Sequence, residues 1–138
     1  MIMIELEIVT PTGIFFSGEV SSFTVPSCKG PLLIEGRYTP IYEKLLPYGV
    51  LKIVDKKGNR FFAIFAGQVS VDDKKALICC EDIEDGYDID IARAIASRDR
   101  AQDRLSHVDP NLDVARAKAS LERALARISA KSYAEGGN

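Results

Sequence analysis

The chain has 138 residues, of which 46% are hydrophobic, and its formal net charge at pH 7 is −2. A chain of this length forms one domain, or a small domain with an appendage, and a body of about 80 to 90 residues can bury a workable core. The lack of a basic excess argues against a nucleic-acid partner. No apolar run approaches the ~20 residues of a membrane-spanning helix, and the first eight residues lack the basic and apolar regions of a signal peptide. We therefore expect no nucleic-acid partner and no direct membrane insertion.

The three cysteines do not indicate a metal site or a disulfide framework. Cys28, Cys79 and Cys80 make an odd count, and no Cys-x-x-Cys spacing exists. Neighbours on a strand point to opposite faces, so the adjacent pair cannot chelate in the usual way. We expect reduced, mostly buried thiols and no bound metal.

The first half of the chain carries the pattern of β-strands and tight turns. Apolar residues alternate with glutamates over residues 4–8, which is the period of a half-buried strand. Residues 50–65 read as a hairpin with its turn at 55–59, and residues 69–80 as another with its turn at 72–75. Many short strands with regular turns predict a β-sandwich or a barrel.

The second half has a helical pattern from Gly86 onward. Asp88 is a fair N-cap for a first helix that reaches Leu105, and Asp109 can cap a second helix that begins at Pro110. The spacing of apolar residues along the second helix predicts one buried face. Its members are Val114, Ala117, Leu121, Ala124, Leu125 and Ile128.

Two helices joined by a short turn should fold back as an antiparallel hairpin. The sequence thus predicts an α+β chain, with a β-sandwich domain over residues 1–85 and a helical hairpin domain over residues 86–138. Alanine-rich faces bury little area, so the hairpin should be held weakly and could detach, as a conformational switch requires. A permanently docked hairpin is the alternative, and the pattern alone does not choose between them.

Catalytic chemistry finds little support in the sequence. The one histidine, His107, lies in the turn between the helices and is a poor candidate base. No nucleophile elbow, phosphate-binding loop or histidine-rich metal spacing occurs. The acidic cluster at residues 81–90 lacks the order of a calcium loop. We expect no catalytic residues and no metal site, and a small β-sandwich enzyme is the least supported hypothesis.

The succession of these segments resembles the epsilon subunit of bacterial F-type ATP synthases. The strand and turn at residues 6–13 and the Ala-Gly-Gln-Val-Ser-Val run at 66–71 are similar to family segments. Residues 88–94 resemble the family's entry to the first helix, and residues 113–119 and 123–128 resemble its second helix. No single motif is very specific, but the match runs in order over nearly the whole chain.

The resemblance implies a non-catalytic rotor subunit of the central stalk. Its ten-stranded sandwich would pack on the gamma subunit and the c-ring, at the cytoplasmic face of the bacterial inner membrane. Its hairpin would lie compact, or extend into the catalytic alpha/beta head and inhibit ATP hydrolysis. Residues 31–40 depart from the family's Leu-Pro-Gly-His-Ala-Pro ending, so contacts to gamma and the ring are left open there. A stand-alone nucleotide-sensing or adaptor module of the same fold is the alternative.

In some members of the family, a motif similar to Ile-Asp-x-x-Arg-Ala at residues 89–94 binds ATP in the compact hairpin. No cofactor is required, but the resemblance implies ATP as a regulatory ligand. Guanidinium donors match phosphate oxygens two at a time, and Asp90 and Arg93 at i,i+3 could pair. The alternative is that the arginines only form a charged face or reach acidic residues of the catalytic head. The implied contacts are Ile89, Asp90, Arg93 and Ala94 at adenine and ribose, Arg123 and Arg127 at phosphate, with Arg100 and Glu84 as further candidates.

Overall fold

The computed structural model of the chain describes residues 2–36, 40–73, 75–107 and 109–137. Within these residues, ten strands precede two helices, α1 (Ile91–Ser106) and α2 (Val114–Ser132). A 3-10 turn, Gly86–Asp88, joins the strands to α1, and a terminal turn, Tyr133–Gly137, follows α2. The strands are β1 (Ile4–Thr10), β2 (Gly13–Val20), β3 (Ser22–Ser27), β4 (Gly30–Glu35), β5 (Ile41–Lys44), β6 (Gly49–Asp55), β7 (Gly58–Phe65), β8 (Gln68–Asp72), β9 (Lys75–Cys79) and β10 (Asp82–Asp85).

The strands form two five-stranded sheets that face each other as a sandwich. The first sheet has the order β2-β1-β9-β8-β5, and the second has the order β10-β7-β6-β3-β4. The pairing of β1 with β9 is parallel, and the other pairings are antiparallel. The predicted α+β class is therefore confirmed, with a sandwich in place of the barrel alternative. Both predicted hairpins, β6–β7 and β8–β9, are present.

The core of the sandwich follows directly from the period-two alternation. Ile4, Leu6 and Ile8 are fully buried, while the glutamates between them lie on the outer face of β1. The same alternation on the other strands supplies most of the rest of this core, and Leu45 and Cys80 join it from positions just after β5 and β9. Its largest fully buried members include Phe23, Phe62, Ile34, Leu45, Leu51, Ile53, Ile64 and Ile78.

Gly67 allows the chain to cross from one sheet to the other between β7 and β8. Its φ is +124°, and a Cβ there would lie 1.9 Å from the carbonyl oxygen of Cys79. Only glycine fits such a position. The crossing fixes where β7 ends, and its last residue, Phe65, is part of the site described below.

β7 is buried on both of its faces. Phe62 and Ile64 point into the core of the sandwich, whereas Ala63 and Phe65 lie on the outer face and are also fully buried. Helix α2 covers that outer face. The result is a second, smaller apolar cluster whose fully or nearly buried members are Ala63, Phe65, Ile89, Ala126 and Ala130.

Both helices begin later than the sequence predicts, because an upstream aspartate caps a short turn of its own. The Asp85 carboxylate accepts the backbone N–H of Tyr87, which closes the 3-10 turn, and α1 then starts after its N-cap Asp90. Asp109 likewise accepts the N–H of Asn111 and leaves the capping of α2 to Asp113. The predicted N-cap at Asp88 and the predicted start at Asp109–Pro110 are therefore wrong.

The two helices form an antiparallel hairpin in which alanines make the contact. Arg104 lies near Arg116 beside the turn, while Arg93 lies near Arg127 at the far end, so the helices run in opposite directions. The predicted buried face of α2 is only partly correct. Its alanines are buried, but Val114 is 51% exposed and α2 turns a second alanine face toward β7.

The thiols only partly match the expectation. Cys80 is buried and Cys79 is half-buried, but Cys28 is exposed, so the prediction of mostly buried cysteines is wrong for Cys28. All three are free thiols. The divergent stretch at residues 31–40 includes residues 37–39, which lie outside the described residues.

Candidate functional site

A cleft of about 440 Å³ lies where the start of α1, the end of β10 and the middle of α2 meet. It brings together seven of the eight residues predicted to contact a nucleotide, all but Arg123. These residues come from β10, from residues 88–90 that lead into α1, and from the two helices. The lining consists of Glu84, Asp88, Ile89, Asp90, Arg93, Ala94, Ser97, Arg100 and Arg127.

Helical spacing puts the α1 contribution on one face. Arg93, Ser97 and Arg100 stand at i, i+4 and i+7, so they follow one another along the same side of the helix. Ala94 is nearly buried beside them. A row of two guanidiniums separated by a hydroxyl therefore borders the cleft.

Asp90 acts as the N-cap of α1. Its Oδ1 accepts the backbone N–H of Arg93 at 3.1 Å. The predicted side-chain pairing of Asp90 with Arg93 does not occur among the described residues, because the carboxylate is turned toward the helix end. The carboxylate instead satisfies a backbone N–H of the first turn, which has no partner within the helix.

Arg127 closes the cleft from the side of α2. Its Nε donates to Oε2 of Glu84 at 2.5 Å, and both side chains are about one-third exposed or less. Within the described part of the chain, Arg93 and Arg100 form no ion pair. The cleft thus holds two guanidiniums whose donors are available to a ligand and a third whose charge a carboxylate already balances.

Arg123 lies outside the cleft, one helical turn from Arg127. Its Nη2 is 3.3 Å from Oδ2 of Asp82, and its Cζ lies 4.0 Å from the centroid of the Phe65 ring. The sequence predicts Arg123 beside Arg127, and the helical spacing does put them on one face. The local pull of Asp82 directs the Arg123 guanidinium toward the sheet.

Three residues at or beside the cleft are absent from the sequence-based set. Ser97 could have been found from its i+4 spacing to Arg93, and Asp88 from its position two residues before Asp90. Phe65 touches Arg123 and Arg127 of α2, and its signal is the unbroken apolar run 61–65, which is typical of a strand covered on both faces.

Among residues 2–36, 40–73, 75–107 and 109–137, no group of three or more His, Cys, Asp or Glu side chains is arranged to hold a metal ion. Within the same residues, no helix combines the length and apolar character needed to cross a membrane.

Family models match nearly the whole chain. The model described as ATP synthase, Delta/Epsilon chain, beta-sandwich domain matches residues 3–86, and the corresponding long alpha-helix domain matches residues 88–132. The ATP synthase epsilon chain of Desulforudis audaxviator is 38% identical over 126 residues, which is 91% of either chain. The chain belongs to the family of the bacterial F-type ATP synthase epsilon chain.

Other members of the family agree with this assignment. The epsilon chain of Syntrophomonas wolfei is 36% identical over 91% of both chains, and that of Clostridium novyi is 33% identical over 76% of this chain and 80% of its own. A chain of the Euglena gracilis mitochondrial ATP synthase has the same fold, with a TM-score of 0.82 at 16% identity, covering 94% of this chain and 82% of that one. The resemblance noted in the sequence is thereby confirmed.

Proposed function

We propose that this chain is a non-catalytic rotor component of the central stalk of its ATP synthase. Its sandwich would join the gamma subunit to the c-ring, and its hairpin would bind ATP when compact and inhibit ATP hydrolysis when extended. Family membership supports the stalk position, as do two fold neighbours, from an F1/c-ring assembly of Euglena gracilis and a central stalk/c-ring assembly of Tetrahymena thermophila. The chain would then lie peripherally at the cytoplasmic face of the bacterial inner membrane.

The observation that carries the ATP proposal is the cleft between α1, α2 and β10. Its volume of about 440 Å³ falls in the usual range for small-molecule sites, about 300–1,000 Å³. Arg127 and Arg100 supply planar donors suited to phosphate oxygens, and Arg93 would meet the adenine and ribose side, as the resemblance implies. The carboxylates of Glu84, Asp88 and Asp90 lie in the same lining and suit the amino and hydroxyl donors of adenine and ribose.

A ligand in this cleft would contact three elements at once. Arg93 and Arg100 belong to α1, Arg127 to α2 and Glu84 to β10, so a bound nucleotide would tie the hairpin to the sandwich. A ligand that binds the compact form alone stabilises it by mass action. Low ATP would then favour release and extension of the hairpin, which is the inhibitory state in this proposal.

The ATP site is tested by calorimetric titration of the full chain. Arg93→Ala and Arg100→Ala should each weaken ATP binding by about ten- to a hundredfold, because each removes charged hydrogen bonds worth roughly 1.5–3 kcal/mol. Arg98→Ala is the matched control, since Arg98 lies on the same helix, pairs with Asp99 and does not line the cleft. Unchanged affinity in both cleft variants would remove the proposed site.

The stalk assignment is tested separately by assembly. The chain should bind gamma, and deletion of residues 87–138 should raise ATP hydrolysis by the parent complex. ATP binding without gamma binding would favour a stand-alone nucleotide-sensing module. Hydrolysis that does not respond to the deletion would mean that the hairpin is not inhibitory.

A further inference from the structure

Phe65 lies beneath both arginines that α2 presents to the sandwich. It is the last residue of β7 and is fully buried. The Cζ atoms of Arg123 and Arg127 are 4.0 Å and 5.0 Å from the centroid of its ring. Both distances fall within the range of attraction between a cation and an aromatic face.

Each of the same two guanidiniums also forms an ion pair with a carboxylate of β10. Asp82 and Glu84 are alternate residues of β10 and so share a face of the strand, with Asp82 directly opposite Phe65 in the pairing of β10 with β7. Their spacing of about 6.6 Å along a strand nearly equals the 6 Å between residues one turn apart on a helix, here Arg123 and Arg127. The spacing of the arginines on α2 therefore matches that of the carboxylates on β10, so that Arg123 pairs with Asp82 and Arg127 with Glu84.

The ring and the carboxylates use different parts of a guanidinium. Attraction to an aromatic ring acts on the flat face, whereas the N–H donors lie in the plane and point outward to hydrogen-bond acceptors. An acceptor at the edge of Arg127 could thus be exchanged, with a phosphate taking the place of Glu84, while the contact with the ring persists. Both Glu84 and Arg127 line the cleft, so this exchange would take place inside it.

We propose that Phe65 is a positioning residue of the anion site, which keeps Arg127 aimed into the cleft whether its charge is met by Glu84 or by phosphate. This inference rests on the proposed binding of ATP. A long arginine side chain that is already ordered loses less rotamer freedom when the ligand binds, so the ring raises affinity without touching the ligand. A leucine would fill much of the same space but could not hold the charge.

The test is a double-mutant cycle on ATP affinity in the full chain, measured by calorimetry. Phe65→Leu alone should weaken ATP binding about three- to tenfold, the range expected for a partly desolvated cation–ring contact. In the Arg127→Ala background, Phe65→Leu should cause no further loss, because the side chain that the ring holds is already gone. In the Arg93→Ala background its full effect should remain, since Arg93 lies on α1 and, among the described residues, the cations over the ring are Arg123 and Arg127.

Phe23→Leu is the control for loss of packing. Phe23 is as fully buried as Phe65 but lies in the core between the sheets, so its replacement should lower the melting temperature and leave ATP affinity unchanged. If Phe65→Leu does not fold, Phe65→Met, which restores length without an aromatic face, replaces it in the same cycle.

Equal losses from Phe65→Leu in the Arg127→Ala and Arg93→Ala backgrounds would overturn the positioning role, as would unchanged affinity in the single variant. Those outcomes leave the ATP site itself intact. A native chain that binds no ATP would instead overturn the proposed function, and the role of Phe65 with it.

Discussion

The two apolar clusters of this chain differ in what fills them. Between the sheets, the core consists mainly of large branched and aromatic side chains from nine strands. Between β7 and α2, three of the five buried members are alanines. Burial contributes about 25 cal/mol per Å² of apolar surface, so an alanine gains far less than an isoleucine. Apolar burial should therefore stabilise the sandwich more than it stabilises the docking of α2, which depends on close approach and on charge at its rim.

Gly86 is what permits the close approach. A Cβ at this position would lie 2.6 Å from the carbonyl oxygen of Ala130 and 2.8 Å from that of Phe61. Around the contact, Arg123, Arg127 and Lys131 of α2 bond to groups of β10 and of the turn that follows it. These contacts lie outside the core between the sheets, so we expect that α2 can separate from β7 without disturbing that core.

The largest effect is expected from a cavity between the sheets. Phe23→Ala removes a fully buried ring and should lower the free energy of unfolding by about 3–5 kcal/mol, measured by urea titration of the full chain. Leu33→Ala is the control, because Leu33 is 54% exposed and its loss should cost less than about 1 kcal/mol. Similar losses in the two variants would contradict a core concentrated between the sheets.

Gly86→Ala should weaken the docking of α2 on β7 without unfolding the sandwich. The new methyl group meets backbone atoms, which cannot rotate away, so α2 must shift outward at a cost of roughly 1–3 kcal/mol. Amide hydrogens of α2 should exchange faster with solvent, while those of β1 and β9 keep their protection. Gly18→Ala is the matched control, since its Cβ would make only an ordinary contact with Phe16. Equal loss of protection in sandwich and helix would show that the two regions unfold together.

Cys80 reports on the sandwich, because it is buried in the core between the sheets. Burial, with smaller contributions from Asp82 and Cys79, raises the pKa of the Cys80 thiol to about 11. Because the thiolate is the nucleophile, only about one part in a thousand is reactive at pH 8, and the rate of alkylation should rise toward pH 11.

Mass spectrometry after treatment with iodoacetamide at pH 8 should therefore find Cys28 modified long before Cys80. Cys28 is exposed, and Cys80 is 6% exposed within the core between the sheets. The same order should hold in Gly86→Ala. Rapid modification of Cys80 in that variant would mean that undocking α2 opens the sandwich.

The difference between the regions also explains what could be read from the sequence. Alternation over residues 4–8 correctly predicts a half-buried strand, because only one face of β1 packs into the core and every second side chain lies on that face. The predicted N-caps at Asp88 and Asp109 are wrong because more than one aspartate precedes each helix and could cap it, and the structure uses Asp90 and Asp113. The pairing of Arg123 with Asp82 joins residues that are far apart along the chain, and no local pattern indicates it. The nucleotide contacts themselves stay a prediction.

The smallest effect is expected from one charge at the rim of the α2 contact. Asp82→Asn removes the carboxylate that faces Arg123 but leaves the Phe65 ring beneath the guanidinium. Both side chains are at least one-third exposed, so the pair should contribute only about 0.2–1 kcal/mol to docking. Exchange of α2 amides should accelerate slightly in Asp82→Asn at about 50 mM salt, and the difference from the native chain should vanish near 500 mM.

Glu43→Gln is the control for general charge effects, because Glu43 pairs with Lys29 on the sandwich, away from α2. It should leave helix exchange unchanged at either salt concentration. If Asp82→Asn instead frees α2 as completely as Gly86→Ala does, and does so in high salt, then the ion pairs and not the close alanine packing hold the helix. In that case charge would hold α2 in place and apolar burial would hold the sandwich together, and the size of the apolar side chains would not explain the difference between the two clusters.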